Sequence, residues 1–144
     1  MVCDSRGTPL QAEVTPGQQH ESTCFEEVLN AVRIPQAVGR PRSRPGAVAG
    51  DKGYSVRRIR EWLRDHHMEA VIPQREDQVG RPDGCRSFDR EAYRRRNVIE
   101  RCVGWLKECR RLCTRFEKLA LNFLAMLDLW MIDRYLRIRF SDGA

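Results

Sequence analysis

The chain has 144 residues, of which 41% are hydrophobic and 32% are charged, and its formal net charge is +6. These totals predict one globular domain with a core of its own. No apolar run reaches the roughly 18 to 20 residues that a membrane span needs, and the N-terminus does not resemble a signal peptide, so we expect a cytoplasmic protein with reduced thiols.

The positive charge of the chain is almost entirely arginine. Only three of the 26 basic residues are lysines: Lys52, Lys107 and Lys118. The planar fork of arginine suits phosphate, and a basic surface is typical of nucleic-acid binding. The same excess can also reflect codon usage, so charge alone leaves nucleic-acid binding open.

The first half of the chain predicts strands on either side of one helix. Residues 2–3 end one strand, residues 4–8 form a polar turn, and a second strand lies around residues 10–14. Ser22 or Thr23 can cap a helix whose apolar residues are Phe25, Val28, Leu29 and Val32. A loop rich in proline, glycine and arginine precedes a short apolar run that ends at Asp51.

The second half is dominated by helices. We expect a helix over residues 55–67, a brief strand closed by Pro73, and a polar loop over residues 76–89. Residues 90–139 are strongly helical, with a break near residues 114–118. The predicted order is β-β-α-β-α-β followed by helices, an α/β fold with mixed strand directions.

The six cysteines favour neither a disulfide framework nor a zinc site. There is no C-x-x-C pair, and Cys3, Cys24 and Cys85 are isolated. The other three, Cys102, Cys109 and Cys113, share a helical face with apolar residues. Core packing is therefore expected for them.

The predicted helix from Tyr93 to Cys113 has two distinct faces. At about 100° per residue, four polar side chains fall on one face: Tyr93, Arg96, Glu100 and Lys107. The apolar side chains cluster opposite. Taken alone, the polar face is most simply a solvated surface with an Arg96–Glu100 pair that stabilises the helix.

The spacing on this face, Tyr-x₂-Arg-x₃-Glu-x₆-Lys, resembles the signature around the third acid of bacterial insertion-sequence DDE transposases. Upstream, "GDKGYS" resembles the segment that carries the second acid of that family, and "DSRGTPLQAEVTPGQQHEST" resembles its preceding hairpin. The resemblance covers residues 2–137. The short interval between Asp51 and Glu100 matches the branch of the family that lacks a long insertion.

The resemblance implies an RNase H-like fold whose acids hold Mg²⁺ or Mn²⁺. Asp51 and Glu100 match the second and third acids and are the implied catalytic metal ligands, while Tyr93, Arg96 and Lys107 are the implied DNA contacts. The implied chemistry is metal-dependent DNA cleavage and strand transfer, in which two metal ions stabilise the attacking and leaving oxygens. A DNA-bound protein of this kind is expected at the nucleoid.

At Asp51 the sequence permits two interpretations, a helix cap or a chemical acid. The resemblance favours the chemical acid, with Tyr54 and Ser55 capping the helix instead. Asp4 is expected to serve the turn, although a substitute first acid is the alternative.

The first acid of the family has no other match in this chain. We therefore expect residues 1–140 to be the C-terminal part of a catalytic domain, with a truncated mixed sheet and a helical C-terminus, followed by a tail at residues 141–144. The expected partners are transposon-end and target DNA, a second copy of the chain, or a full-length transposase. Little catalysis is expected from the chain alone, and the alternative function is that of a non-catalytic, arginine-rich DNA-binding remnant.

Overall fold

A computed structural model, which describes residues 1–78 and 88–141, shows a mixed α/β protein with the predicted order of strands and helices. The strands are β1 (Val2–Cys3), β2 (Pro9–Gln11), β3 (Ala47–Ala49) and β4 (Glu69–Val71). The α-helices of the described residues are α1 (Phe25–Ala31), α2 (Arg57–Asp65), α3 (Arg90–Arg95), α4 (Asn97–Glu108), α5 (Arg110–Cys113) and α6 (Ala120–Ser141). The chain divides into two compact units, one formed by Met1–Pro16 with Asn97–Ala144 and the other by Gly17–Arg96.

An antiparallel hairpin of β1 and β2 opens the first unit. Its turn depends on Asp4, whose Oδ1 accepts the backbone N–H groups of Arg6 and Thr8, each at 2.8 Å. Gly7 has a φ of +86°, a conformation that glycine adopts at low cost. These contacts confirm the predicted turn role of Asp4.

The core of this unit joins the hairpin to the C-terminal helices. Its buried residues are Ala12, Cys102, Leu112, Leu127, Trp130 and Met131. Helix α6 therefore packs on α4, the helix that carries Glu100. Leu119, which immediately precedes α6, is exposed.

The prediction of one continuous helix from Tyr93 to Cys113 is wrong, because the structure has three helices there. A turn at Arg96 separates α3 from α4, and Cys109, with a ψ of 96°, separates α4 from α5. The Cys109 carbonyl accepts the N–H groups of Leu112 and Cys113, so a new turn begins there. This turn buries Leu112 and leaves Cys113 exposed, against the prediction that Cys113 lies in the core.

The second unit contains a parallel pair of strands joined through α2. Val48 of β3 lies opposite Ala70 of β4. Helix α1 packs on α2 through the rings of Phe25 and Trp62, whose centroids are 6.1 Å apart. The buried apolar side chains of this unit are Phe25, Val28, Leu29, Val32, Val48, Ile59, Leu63, Met68, Val71 and Ile72.

Some sequence predictions fall outside the described residues. Of the predicted loop over residues 76–89, the structure describes a 3₁₀ turn at Glu76–Gln78 and residues 88–89, but not residues 79–87, which include Cys85. Residues 142–144 of the predicted tail also lie outside. In the ranges 1–78 and 88–141, no helix is long and apolar enough to cross a membrane.

Candidate functional site

Asp51 lies just beyond the carboxyl end of β3, with an exposed side chain. Its Oδ1 accepts the N–H of Gly53 at 2.7 Å and caps a 3₁₀ turn over Lys52–Tyr54. The prediction that Tyr54 and Ser55 take over capping is wrong. Helix α2 has Val56 at its N-cap and no side-chain cap there.

The two glycines that flank Asp51 allow close packing around its turn. A Cβ on Gly53 would lie 2.9 Å from the Asp51 Oδ1 atom, and a Cβ on Gly50 would lie 3.3 Å from the Tyr54 ring. A side chain at position 53 would therefore displace the Asp51 carboxylate. The Gly-Asp-Lys-Gly pattern fixes where this acid points.

The Asp51 turn is also hydrogen-bonded to the segment that follows β4. Arg75 donates from Nε to the carbonyl of Lys52 at 3.0 Å and from its terminal nitrogen to the carbonyl of Gly53 at 3.3 Å. Buried Ser55 donates its hydroxyl to the side-chain oxygen of Gln78 at 2.6 Å. Ser55 lies one residue before Val56, the N-cap of α2, and its hydroxyl bonds the side chains of Gln78 and Arg60. No local pattern in the sequence indicates these contacts, because the partners are far apart in the chain.

Tyr54 adds a polar group beside Asp51. Its hydroxyl donates to a carboxylate oxygen of Glu21 at 3.1 Å. Burial raises the pKa of the Tyr54 phenol, and the negative charges of Glu21 and Asp51 raise it further. The phenol therefore stays neutral and remains a donor beside the acids.

In the same unit, α3 brings Tyr93 and Arg96 together. Asp89 caps this helix by accepting the N–H groups of Glu91 and Ala92, both at 2.9 Å. The Arg96 guanidinium lies 5.5 Å from the centroid of the Tyr93 ring, within the range of a cation–π contact. Two of the predicted DNA contacts therefore form a local pair.

In the other unit, Glu100 and Lys107 lie on the exposed surface of α4, whereas Cys102 is fully buried. This confirms the amphipathic character predicted for this part of the helix. The two residues are seven positions apart, which is about two helical turns, so both lie on one face. Asp51, Tyr93 and Arg96 belong to the Gly17–Arg96 unit, and Glu100 and Lys107 do not.

Two of the predicted site residues are acids whose oxygens suit a divalent metal ion. Each of Asp51 and Glu100 offers carboxylate oxygens, the donors that Mg²⁺ and Mn²⁺ use. However, within residues 1–78 and 88–141 no group of three or more His, Cys, Asp or Glu side chains is placed to hold a metal ion.

Comparison with known proteins decides the family. The sequence model of the transposase DDE domain matches residues 1–131. The chain belongs to the DDE transposase family. This confirms the resemblance inferred from the segments around Asp51 and Glu100.

Among curated relatives, the transposase chain is similar to a putative transposase for insertion sequence element IS402 from Burkholderia cepacia. The two are 35% identical over 121 residues, which cover 83% of this chain and 53% of the relative. The chain therefore spans about half the length of that relative. No solved structure matches the chain significantly.

Proposed function

We propose that this transposase chain acts in the movement of an insertion sequence, as part of a catalytic domain that binds DNA and carries two of its metal-binding acids. The reaction class is phosphodiester cleavage and strand transfer. The observation that carries the proposal is the exposed face of α4, where Glu100 and Lys107 lie opposite buried Cys102. Folding leaves this acid and this cation accessible to a ligand.

The proposed DNA contacts are Tyr93, Arg96 and Lys107. Arginine and lysine bind phosphate oxygens directly, and a tyrosine ring can stack on a base or donate its hydroxyl. The Tyr93–Arg96 pair and exposed Lys107 support these roles. The net charge of +6 favours association with DNA, including the chromosomal DNA of the nucleoid.

Asp51 and Glu100 are the proposed metal ligands. Asp51 lies at the carboxyl end of a parallel strand, the edge of an α/β sheet where ligands commonly bind. The parallel β3–β4 pair and the antiparallel β1–β2 hairpin form two separate two-stranded sheets. From the family match we propose an RNase H-like fold. Because two carboxylates are fewer than a complete site needs, we expect little or no cleavage by the chain alone.

The second candidate function is that of a non-catalytic, arginine-rich DNA-binding protein that interferes with a complete transposase. One observation favours it. The described part of the chain holds no cluster of three potential metal donors. Both candidates require DNA binding and differ only in catalysis.

A DNA cleavage assay tests whether the chain alone is a complete enzyme, since both candidate functions predict that it does not cleave DNA by itself. The purified chain is incubated with supercoiled plasmid and Mg²⁺ or Mn²⁺, beside the Glu100→Gln and Asp51→Asn variants. We expect no nicking above background. We also expect all three proteins to bind the plasmid and slow its migration in a gel-shift assay. Robust nicking that disappears in Glu100→Gln would show a complete active site and contradict the expected deficit. Absence of any DNA binding would contradict both functions.

A further inference from the structure

The interior of α4 contains a glycine for which the fold gives no reason. Gly104 lies well inside the helix Asn97–Glu108, where glycine is less stable than alanine because it loses more backbone freedom on folding. Its φ is not positive, and a Cβ built on it meets nothing within 4 Å. Neither backbone conformation nor packing within the described chain demands a glycine here.

The surroundings of Gly104 are charged and exposed. The residues three and four positions away on either side, which are its neighbours on the helix surface, are Glu100, Arg101, Lys107 and Glu108. All four are exposed, as is Gly104 itself. The glycine is therefore a gap in the middle of four charged side chains, two of them cationic (Arg101 and Lys107) and two anionic (Glu100 and Glu108).

We propose that Gly104 is the point at which the sugar–phosphate backbone of DNA lies against α4. Without a side chain, the helix surface lets the DNA backbone approach closely, while Arg101 and Lys107 reach phosphates on either side. Close approach of a ligand is one of the few physical reasons to keep a glycine in an exposed helix. The inference rests on the proposed DNA binding by the Glu100–Lys107 face.

The test compares added bulk at this position with added bulk elsewhere. The variants are Gly104→Ala and Gly104→Gln, and the matched control is Ala125→Gln, which places the same side chain on the exposed surface of α6. The full chain of each is titrated into a fluorescein-labelled DNA duplex and followed by anisotropy. The melting temperature of each is measured in parallel.

We expect opposite effects on stability and on binding. Gly104→Ala should raise the melting temperature by about 3–5 °C because alanine favours the helix. The same variant should weaken DNA binding about threefold, and Gly104→Gln about tenfold or more, while Ala125→Gln binds like the unmodified chain. DNA affinity would then fall with the size of the side chain at position 104, while the melting temperatures show that the variants remain folded.

Each other outcome has a definite meaning. If the unmodified chain binds DNA and both Gly104 variants bind equally well, the inference about Gly104 is wrong although the proposed function stands. If Ala125→Gln weakens binding as much as Gly104→Gln, the effect is not specific to α4, and the inference is again contradicted. If the unmodified chain does not bind DNA, the proposed function itself fails.

Discussion

At the scale of single residues, the Asp51 carboxylate both caps its own turn and carries the metal-binding role that we propose. Only Oδ1 is used for the cap, in the hydrogen bond from the Gly53 N–H. An exposed carboxylate that is fixed by one of its oxygens can offer the other to a ligand. Capping and metal binding by Asp51 are therefore compatible. The two interpretations that the sequence permits do not exclude each other.

Substitutions at Asp51 separate these two roles. Asparagine also caps well, so Asp51→Asn should leave the free energy of unfolding nearly unchanged, whereas Asp51→Ala should lower it by about 1 kcal/mol. Both should weaken Mn²⁺ binding, because both remove the charge. Urea denaturation and calorimetric Mn²⁺ titration measure the two effects. Equal stability of the Asn and Ala variants would contradict the capping role.

Tyr54 makes stability depend on alkaline pH. Burial and the neighbouring acids raise its pKa above the ordinary value near 10, so the neutral phenol is favoured in the folded chain. The unfolded chain releases this proton first as the pH rises, and the stabilisation is therefore present below about pH 10 and is lost above it.

The measurement compares the unmodified chain with Tyr54→Phe by urea denaturation across alkaline pH. We expect the unmodified chain to lose stability more steeply above about pH 10, because phenylalanine has no proton to release. Ultraviolet titration of tyrosinate should show one tyrosine fewer at high pH in the variant. Parallel curves for the two proteins would show that Tyr54 titrates normally.

At the scale of elements, α6 offers a matched pair of leucines for testing the core. Leu127 is 6% exposed and packs in the cluster with Cys102 and Trp130, whereas Leu129 is 57% exposed on the same helix. Leu127→Ala should cost about 2–4 kcal/mol in the free energy of unfolding, and Leu129→Ala less than about 0.5 kcal/mol. Chemical denaturation measures both. Similar losses would mean that α6 packs with a different face.

The sequence predicted the elements because their signals are local. Short apolar runs, the helical spacing of apolar residues and the turn at Asp4 are each visible within a few residues of sequence. The order of strands and helices follows from them. The break at Cys109 was missed because no glycine or proline marks it. The turn that begins at Cys109 buries Leu112 in the core, and no local pattern in the sequence indicates this tertiary contact.

The candidate site shows the same limit. Motif spacing predicts Asp51 and Glu100 as the metal-binding acids, and the family match confirms the resemblance on which that prediction rests. The contacts of Arg75, Gln78 and Glu21 around the Asp51 turn were not predictable, since each depends on pairing between distant segments. Glycine spacing near Asp51 was visible in the sequence, but its purpose became clear only from the positions of the carboxylate and the Tyr54 ring.

At the scale of the whole molecule, the proposed function depends on an electrostatic attraction between an arginine-rich chain and DNA. The net charge of +6 makes such binding sensitive to salt, because each phosphate that is neutralised releases counterions. The attraction can come from charge spread over the whole surface or from a localised contact at Lys107. Removing the Lys107 side chain affects DNA affinity differently in these two cases. A localised contact changes both affinity and its salt dependence.

The most direct test is therefore the affinity for a labelled DNA duplex, measured by anisotropy over a range of salt concentrations. The proteins are the unmodified chain, Lys107→Ala, and the control Lys118→Ala, which removes an equally charged, exposed lysine that lies outside α4. We predict that Lys107→Ala weakens binding and reduces the slope of log affinity against log salt by about one, whereas Lys118→Ala changes neither. Identical behaviour of the two variants, or no salt-dependent binding by the unmodified chain, would contradict the proposed DNA-binding face.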